Sequence, residues 1–207
     1  MKKIFTYCSL FVSSIVFGQQ NYYTGMDASF TIPVTGAVAA AVSSQGMLAA
    51  QDQSDFVHIW YTLPVTGTEP ADVSLPDLNN GGVAWSPDGN TLITTNYSNG
   101  GLQIWSSIPD SNNQLPDVIV PGPWDGGVIV SPEGKVVASS LNNNSIYIWN
   151  SIPDTNNTPP DLIYGGFGTT NNTFNRPWGM DIAPDGKLFV AEETNHRVLV
   201  FDSIPLA

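Results

Sequence analysis

The sequence predicts an all-β protein, a β-propeller built from four-stranded antiparallel blades. Four similar segments recur with a period of roughly 45 residues, which is typical of propeller blades. Each segment contains an apolar strand that ends in an aromatic residue, at Trp60, Trp105, Trp149 and Phe201. Gly, Pro, Asn, Ser and Thr are plentiful between these strands, and no stretch keeps a helical period. The repeats span about 36–76, 77–121, 122–165 and 166–207, and form either a small ring or part of a longer one.

The second repeat indicates how four strands fit into one blade. Strand a is predicted at 82–85, strand b at 91–95, strand c at 102–105 and strand d at 117–120. Asp88-Gly89 favours a tight hairpin between strands a and b, because glycine adopts positive φ angles without strain. Similar turns recur at Gln45-Gly46, Glu133-Gly134 and Asp185-Gly186. Strand c is apolar or bulky on both faces, so its aromatic residue is predicted to pack between neighbouring blades.

Residues 1–18 have the features of a secretory signal peptide. Lys2 and Lys3 precede an apolar run, 4–17, which is too short to span a bilayer and ends at Gly18. A retained membrane anchor is the alternative. With cleavage after Gly18 we expect an exported protein, periplasmic or extracellular, that has no membrane contact. The only cysteine, Cys8, lies in this segment, so the mature chain is expected to carry no disulfide.

The segment 19–35 precedes the repeats and is expected to contain an outer strand. Its residues 27–33 resemble the strand d stretches at 72–76 and 117–121, whereas the last repeat stops after strand c. The N-terminal segment is therefore expected to supply the strand that the last repeat lacks, which would close the propeller and remove a strand edge. A truncated piece of a longer propeller is the alternative.

The charge of the chain bounds its partners. The formal net charge is −12, and removal of Lys2 and Lys3 would make it −14. Such a surface repels phosphate backbones, so we expect no nucleic-acid binding.

The fourth repeat carries a family resemblance. The stretch 174–191, followed by Asn195-His196-Arg197 and the strand 198–201, resembles an NHL repeat. The phrase 148–153 together with 160–165 is similar to bacterial secreted members of that family. The resemblance implies a propeller that binds a protein or another macromolecule, and it implies a pairing of Glu192 with Arg197 across the b–c hairpin. Relatives that are calcium-dependent lactonases keep an enzyme interpretation open.

The loops that enter strand a and those that join strands b and c lie on one rim of a propeller. Exposed aromatic residues among amides are typical of peptide or carbohydrate recognition. The ligand-binding candidates on this rim are Trp124, Trp178, Phe174, Asn99, Asn143, Asn195 and His196. The alternative is that the two tryptophans tuck under neighbouring blades.

The inner strands carry one carboxylate, Asp181, which is the candidate metal residue. Calcium prefers several oxygen ligands, so Asp181 would need further ligands from loops. His58 and His196 fall at different positions of the repeat, which argues against a zinc site or a histidine-dependent triad. We therefore expect a secreted binding or scaffold module for a protein, peptide or carbohydrate, without a required cofactor. A calcium-dependent hydrolase of the lactonase type is the second interpretation, and a truncated fragment the third.

Overall fold

A computed structural model of the chain describes residues 31–76, 81–96 and 101–206. The predicted signal peptide at 1–18 and residues 19–30 of the N-terminal segment lie outside these ranges. The predicted all-β class is confirmed, because the described ranges contain fifteen strands and no helix. Blade 1 comprises β1 Ala39–Val42, β2 Leu48–Gln51, β3 Phe56–Trp60 and β4 Val73–Pro76; blade 2 comprises β5 Val83–Trp85, β6 Leu92–Thr95, β7 Leu102–Trp105 and β8 Val118–Val120; blade 3 comprises β9 Val128–Val130, β10 Val136–Ser140, β11 Ser145–Trp149 and β12 Leu162–Gly165; blade 4 comprises β13 Pro177–Ile182, β14 Leu188–Glu192 and β15 Arg197–Phe201.

Each blade is an antiparallel meander whose strands, in order, correspond to a, b, c and d. The predicted strands of the second repeat agree with β5 to β8 to within one residue. Blades 1 to 3 are four-stranded, and in the described part of the chain blade 4 has the three strands β13, β14 and β15. The inner strands of successive blades lie side by side, β1 beside β5, β5 beside β9 and β9 beside β13. The result is a four-bladed propeller arrangement.

The turns between strands a and b have the predicted conformation. Gly46, Gly89, Gly134 and Gly186 have φ angles of +82°, +74°, +85° and +87°. The b–c turns of blades 3 and 4 each contain a left-handed residue directly before strand c. Asn144 and His196 have φ angles of 54° and 52°, because the tight turn requires its positive angle immediately before strand c.

Three apolar cores hold the four blades together, one between each pair of neighbours. One face of strand c, which includes Ile59 in blade 1 and Ile104 in blade 2, packs against the next blade. The other face carries the aromatic column, and in blades 2 and 3 it packs against the preceding blade. Trp60, Trp105 and Trp149 are at most 4% exposed, which confirms the predicted packing role.

The tryptophan column also fixes the loop between strands c and d. The indole N–H of Trp60 donates to the carbonyl oxygen of Glu69, and those of Trp105 and Trp149 donate to the carbonyl oxygens nine residues further on, at 3.0–3.2 Å. Phe201 has no such donor. A tryptophan at this position therefore contributes both buried area and a loop anchor.

Asparagine side chains clamp the c–d loops of blades 2 and 3 to the outer strand of the preceding blade. Asn112 Oδ1 accepts a hydrogen bond from Ser74 N–H at 2.8 Å, and Asn113 N–H donates to Ser74 O at 2.9 Å. Asn156 and Asn157 bind Ile119 in the same way. The recurring Asp-x-Asn-Asn tracts therefore join blades through the backbone.

No helix in the described ranges is long and apolar enough to cross a membrane.

Candidate functional site

The candidate site is the rim formed by the loops that enter strand a and the loops that join strands b and c. At blades 3 and 4 this rim is built from four loops, 121–127, 141–144, 166–176 and 193–196. The sequence predicted a group of exposed aromatic residues there. The structure separates that group into buried and exposed members.

Trp124 is buried, with 4% of its surface exposed, so its predicted exposure on the rim is wrong. Its ring packs edge-on against Tyr147 and Trp149, with centroid distances of 4.9 Å to each. Its indole N–H donates to Val120 O at 3.2 Å. Gly122 permits this position, because a Cβ there would lie 2.0 Å from the indole ring. The side chain fills the junction between blades 2 and 3.

Phe174 is fully buried, so its predicted exposure on the rim is also wrong. It packs between Tyr164 of blade 3 and Phe201 of blade 4, at centroid distances of 6.2 Å. Gly165 leaves room for the ring, since a Cβ there would lie 2.3 Å from it. Phe174 thus has the same role between blades 3 and 4 that Trp124 has between blades 2 and 3.

Trp178 differs from both residues, because 37% of its surface is exposed. It lies in β13 rather than in a loop, and its main chain is fixed to blade 3. Its carbonyl oxygen accepts hydrogen bonds from Ser139 Oγ at 2.8 Å and from Gly127 N–H at 3.1 Å. A second exposed aromatic, Phe167, was not among the predicted residues; it is 76% exposed in the loop that leads to β13. The rim therefore presents Phe167 and Trp178 on a rigid support.

The polar candidates also separate into structural and exposed residues. Asn195 Nδ2 donates to Gly168 O at 2.9 Å and to Glu192 Oε1 at 2.8 Å, so it holds the neighbouring loop. Asn143 is exposed, and its Nδ2 donates to the Tyr147 hydroxyl at 3.0 Å. His196 is exposed at the tip of its turn. Asn99 lies outside the described residues.

Arg197 fixes the loop 166–176, which leads into blade 4. Its Nε donates to Glu192 Oε2, as the family resemblance implies, and the Glu192 carboxylate is fully buried. The other guanidinium nitrogens donate to Thr169 O and Thr170 O at 2.6 and 2.7 Å. An ion pair with a buried carboxylate thus fixes the course of the loop that carries Phe167.

Asp181 lies half-buried on the inner strand β13. Burial raises the pKa of its carboxyl above the usual value, and the hydrogen bond that Oδ1 accepts from Ile182 N–H at 2.8 Å opposes part of that rise. Within the described ranges, no group of three or more His, Cys, Asp or Glu side chains is placed to hold a metal ion. Calcium binding at Asp181 stays a prediction.

A polar cluster on blade 1 was missed by the sequence analysis. His58 Nδ1 lies 2.9 Å from Ser74 Oγ, and its Nε2 lies 3.0 Å from Asp52 Oδ2. The cluster borders an open cleft of about 500 Å³, which Pro33, Trp60 and Glu69 also line. The signal available from sequence is that His58 and Ser74 are on neighbouring strands, but their register is set by the length of the c–d loop.

This cluster resembles a nucleophilic triad in composition, but its surroundings favour a structural role. The Ser74 N–H, the main-chain donor of the residue that would act as nucleophile, is already bound to Asn112 Oδ1 at 2.8 Å. The second oxygen of Asp52 accepts hydrogen bonds from Ser54 N–H and Phe56 N–H. The three side chains therefore stabilise the b–c turn and the outer strand of blade 1.

Two family models match parts of the chain. Residues 174–201 match the NHL repeat, and residues 81–106 match the WD domain, G-beta repeat. Both matches fall on single blades of the four-sheet arrangement described above. The chain is a β-propeller repeat protein. No curated protein is similar enough to the chain to count as a match.

Solved structures agree with this propeller fold. A chain of the "Crystal Structure of Mitotic Checkpoint Complex" is 17% identical with a TM-score of 0.62, over 80% of this chain and 50% of that one. A chain of Kuenenia stuttgartiensis hydrazine synthase is 16% identical with a TM-score of 0.55, over 82% and 45%. At these identities the likeness shows the fold alone. The propeller spans about half the length of both chains.

Proposed function

We propose that this propeller is an exported binding or scaffold module that recognises a protein or peptide on the rim of blades 3 and 4. One observation carries the proposal. Five of the six tryptophans, at positions 60, 85, 105, 124 and 149, are at most 7% exposed, whereas Trp178 is 37% exposed. A chain that buries its other tryptophans leaves this one accessible, and Phe167 is 76% exposed in the loop that leads to the same strand.

The chemistry of the rim favours a protein or peptide partner. Exposed aromatic residues on a rigid support are typical of the side chains that contribute most to protein interfaces. Exposed polar groups of Asn143 and His196 lie on the same rim, where they are available for hydrogen bonds to a peptide backbone. The formal charge of −12 disfavours strongly acidic partners. The similar chain from the mitotic checkpoint complex belongs to an assembly of proteins, which agrees with this class of function.

Export and the family subtype belong to the same proposal. The basic and apolar N-terminus supports secretion to the periplasm or the extracellular space. The NHL match at 174–201 and the phrase 148–153 support the bacterial secreted subtype. A carbohydrate ligand is the alternative, because a tryptophan surrounded by amides also suits sugars.

The experiment is a selection of phage-displayed random peptides against the protein, followed by measurement of each selected peptide on the single-residue variants. We expect peptides whose affinity falls at least about tenfold in Trp178→Ala and in Phe167→Ala, as measured by biolayer interferometry, because hot-spot aromatics contribute more than about 1 kcal/mol. Leu115→Ala is the matched control. Leu115 is 72% exposed but lies in the c–d loop of blade 2, on the opposite rim.

Two results would contradict the proposal. Peptides that bind equally well to the protein, to Trp178→Ala and to Phe167→Ala would exclude the rim as the site. A glycan array on which binding occurs only to sugars, and is lost in Trp178→Ala, would replace the protein or peptide partner with a carbohydrate.

A further inference from the structure

Arg176, which lies directly before β13, has an unusual backbone conformation for its residue type. The non-glycine residues with positive φ angles in the described ranges are Asp55, Asn113, Asn144, Asn157, Arg176 and His196. Asp, Asn and His adopt this left-handed region more readily than other side chains, whereas a bulky residue there is strained. Arg176, with a φ angle of 57°, is the one exception among the six. Such an outlier gives reason to look for a function of its side chain.

The main chain of Arg176 is held on both sides. Its N–H donates to Asn144 Oδ1 at 2.9 Å, and its carbonyl oxygen accepts a hydrogen bond from Glu193 N–H at 3.0 Å. Trp178 is fixed to blade 3 through its own carbonyl oxygen. The Cα atoms of Arg176 and Trp178 are at most about 7 Å apart, because each residue extends a chain by at most about 3.6 Å. An arginine and a tryptophan are therefore presented close together on a fixed backbone.

The Arg176 side chain lies at the surface of the rim. It is 38% exposed, and its Nε donates to Glu193 Oε2 at 2.7 Å, in a side chain that is 58% exposed. An ion pair this exposed contributes little stability, because water and salt compete for both groups. A carboxylate of a partner can therefore share the guanidinium with Glu193 or replace it.

Positive charge is scarce on the rest of the propeller. Residues 19–207 contain four Lys and Arg side chains, which belong to Lys135, Arg176, Lys187 and Arg197. The two lysines follow a–b turns, on the opposite rim, and each has an exposed carboxylate in the same turn. Arg197 is 27% exposed and donates to the buried Glu192 carboxylate and to loop carbonyl oxygens. Arg176 is thus the more exposed of the two cations on the candidate rim.

We propose that the partner of this rim presents one Asp or Glu side chain to Arg176 and an apolar side chain to Trp178. The inference rests on the proposed function, in which a protein or peptide binds at Trp178, and it names the chemistry of that partner. A guanidinium offers a planar set of N–H donors that matches a carboxylate. Arginine and tryptophan are also among the residues that contribute most to protein interfaces. The net charge of −12 repels a run of acidic residues, so a single carboxylate is expected.

The experiment uses the full chain and synthetic copies of the phage-selected peptides, with amidated C-termini so that any carboxylate is a side chain. We expect the peptides to contain an Asp or Glu. In Arg176→Gln their affinity should fall at least about tenfold by biolayer interferometry. Lys187→Gln is the matched control, because it removes the same charge and breaks an exposed ion pair with Asp185 on the opposite rim. It should leave the affinity unchanged.

Glu193→Gln separates a direct contact from a structural role of Arg176. The substitution removes the carboxylate that competes for the guanidinium, so binding should strengthen by up to about fivefold, which corresponds to about 1 kcal/mol. A purely structural ion pair would give weaker or unchanged binding. Exchange of the peptide's Asp or Glu for the amide should weaken binding to the native chain and have no further effect in Arg176→Gln. Melting curves check that each variant is folded.

Several results would overturn the proposal. These are a selection that returns no peptide with an acidic residue, equal affinity in the native chain and Arg176→Gln, additive losses in the exchange experiment, or no gain in Glu193→Gln. Binding that is lost in Trp178→Ala but kept in Arg176→Gln would refute the carboxylate contact and leave the proposed function intact. Peptides that bind equally well to Trp178→Ala would instead contradict the proposed function itself.

Discussion

The loops that enter blades 3 and 4 fill equivalent positions with different residues. Each loop places an aromatic ring against the strand c aromatic of its blade, which is Trp149 in blade 3 and Phe201 in blade 4. The loop at 121–127 uses Trp124, which packs against Trp149. The loop at 166–176 uses Phe174, which packs against Phe201. Trp178 lies four residues after Phe174 and is partly exposed.

The two buried aromatics lie in loops, whereas Trp178 lies in strand a itself. Trp124 and Phe174 both lie in loops ahead of the inner strands β9 and β13, and both reach back under a blade junction. Trp178 is the second residue of β13, so its main chain is already part of the sheet. Its side chain must then take whichever face the strand gives it.

The largest expected difference is between Trp124→Ala and Trp178→Ala. Trp124→Ala should lower the free energy of unfolding by about 3–5 kcal/mol, because it leaves a cavity against Tyr147 and Trp149. Trp178→Ala should change it by about 1 kcal/mol or less, because the side chain is partly exposed. Urea unfolding followed by circular dichroism measures both values. Equal destabilisation by the two substitutions would mean that Trp178 also fills a core.

The second prediction concerns the ion pair that shapes the loop of blade 4. Arg197→Met should cost about 3 kcal/mol, because it leaves the buried Glu192 carboxylate without its counter-charge. Glu192→Gln in the same chain should recover part of this loss, since it removes the buried charge. Urea unfolding of the single and double variants gives the coupling.

The matched control is Arg176→Met. Arg176 pairs with the exposed Glu193, and an exposed ion pair contributes less than about 1 kcal/mol. If the effects of Arg197→Met and Glu192→Gln simply add, the pair does not act as a unit and the loop is fixed by other contacts.

The smallest expected effect concerns Asp181, in the strand that carries Trp178. The raised pKa means that the folded state holds this proton more tightly than the unfolded state. The destabilisation is therefore absent below the ordinary value of 3.8, develops between 3.8 and the raised pKa, and is complete above the raised pKa. Asp181→Asn should raise the melting temperature at pH 7 by at most about 4 °C, because the Asp181 carboxyl is half-exposed.

Melting curves from about pH 3 to pH 7 test this, and the gain should vanish at the acidic end. A variant less stable than the native chain at neutral pH would contradict the prediction. Addition of calcium chloride separates the metal interpretation, because a site at Asp181 would raise the melting temperature of the native chain and leave Asp181→Asn unchanged.

The repeat period and the turns were enough to predict the fold, for reasons that are local. Gly46, Gly89, Gly134 and Gly186 set the a–b hairpins, and short apolar runs define the strands, so neither depends on distant residues. The Trp105 column was predictable because a strand that is bulky on both faces must be covered on both. The pairing of Arg197 with Glu192 followed from the family resemblance and is confirmed.

The rim was harder to predict, because burial there depends on the neighbouring blade. Trp124 and Trp178 look alike when each is described as an aromatic before strand a, although only Trp178 belongs to the strand itself. The exposure of Phe167 and the contact of His58 with Asp52 depend on loop paths that no periodic pattern sets. Val198 and Val200 of β15 are exposed although the equivalent apolar residues of blades 2 and 3 are buried, so residue type could not predict their exposure.

Because the asparagine clamps bind main-chain atoms, the outer-strand residue that each clamp holds can vary. Asn112 and Asn113 bind main-chain atoms of Ser74, and Asn156 and Asn157 bind those of Ile119, so the clamp makes no demand on the side chain it holds. A hydroxyl in one blade and a branched alkyl group in the next serve equally well. A duplicated repeat would carry its own clamp and its own outer strand, so the backbone hydrogen bonds between blades would be preserved. Duplication of a repeat could therefore change the number of blades without a new kind of contact between them.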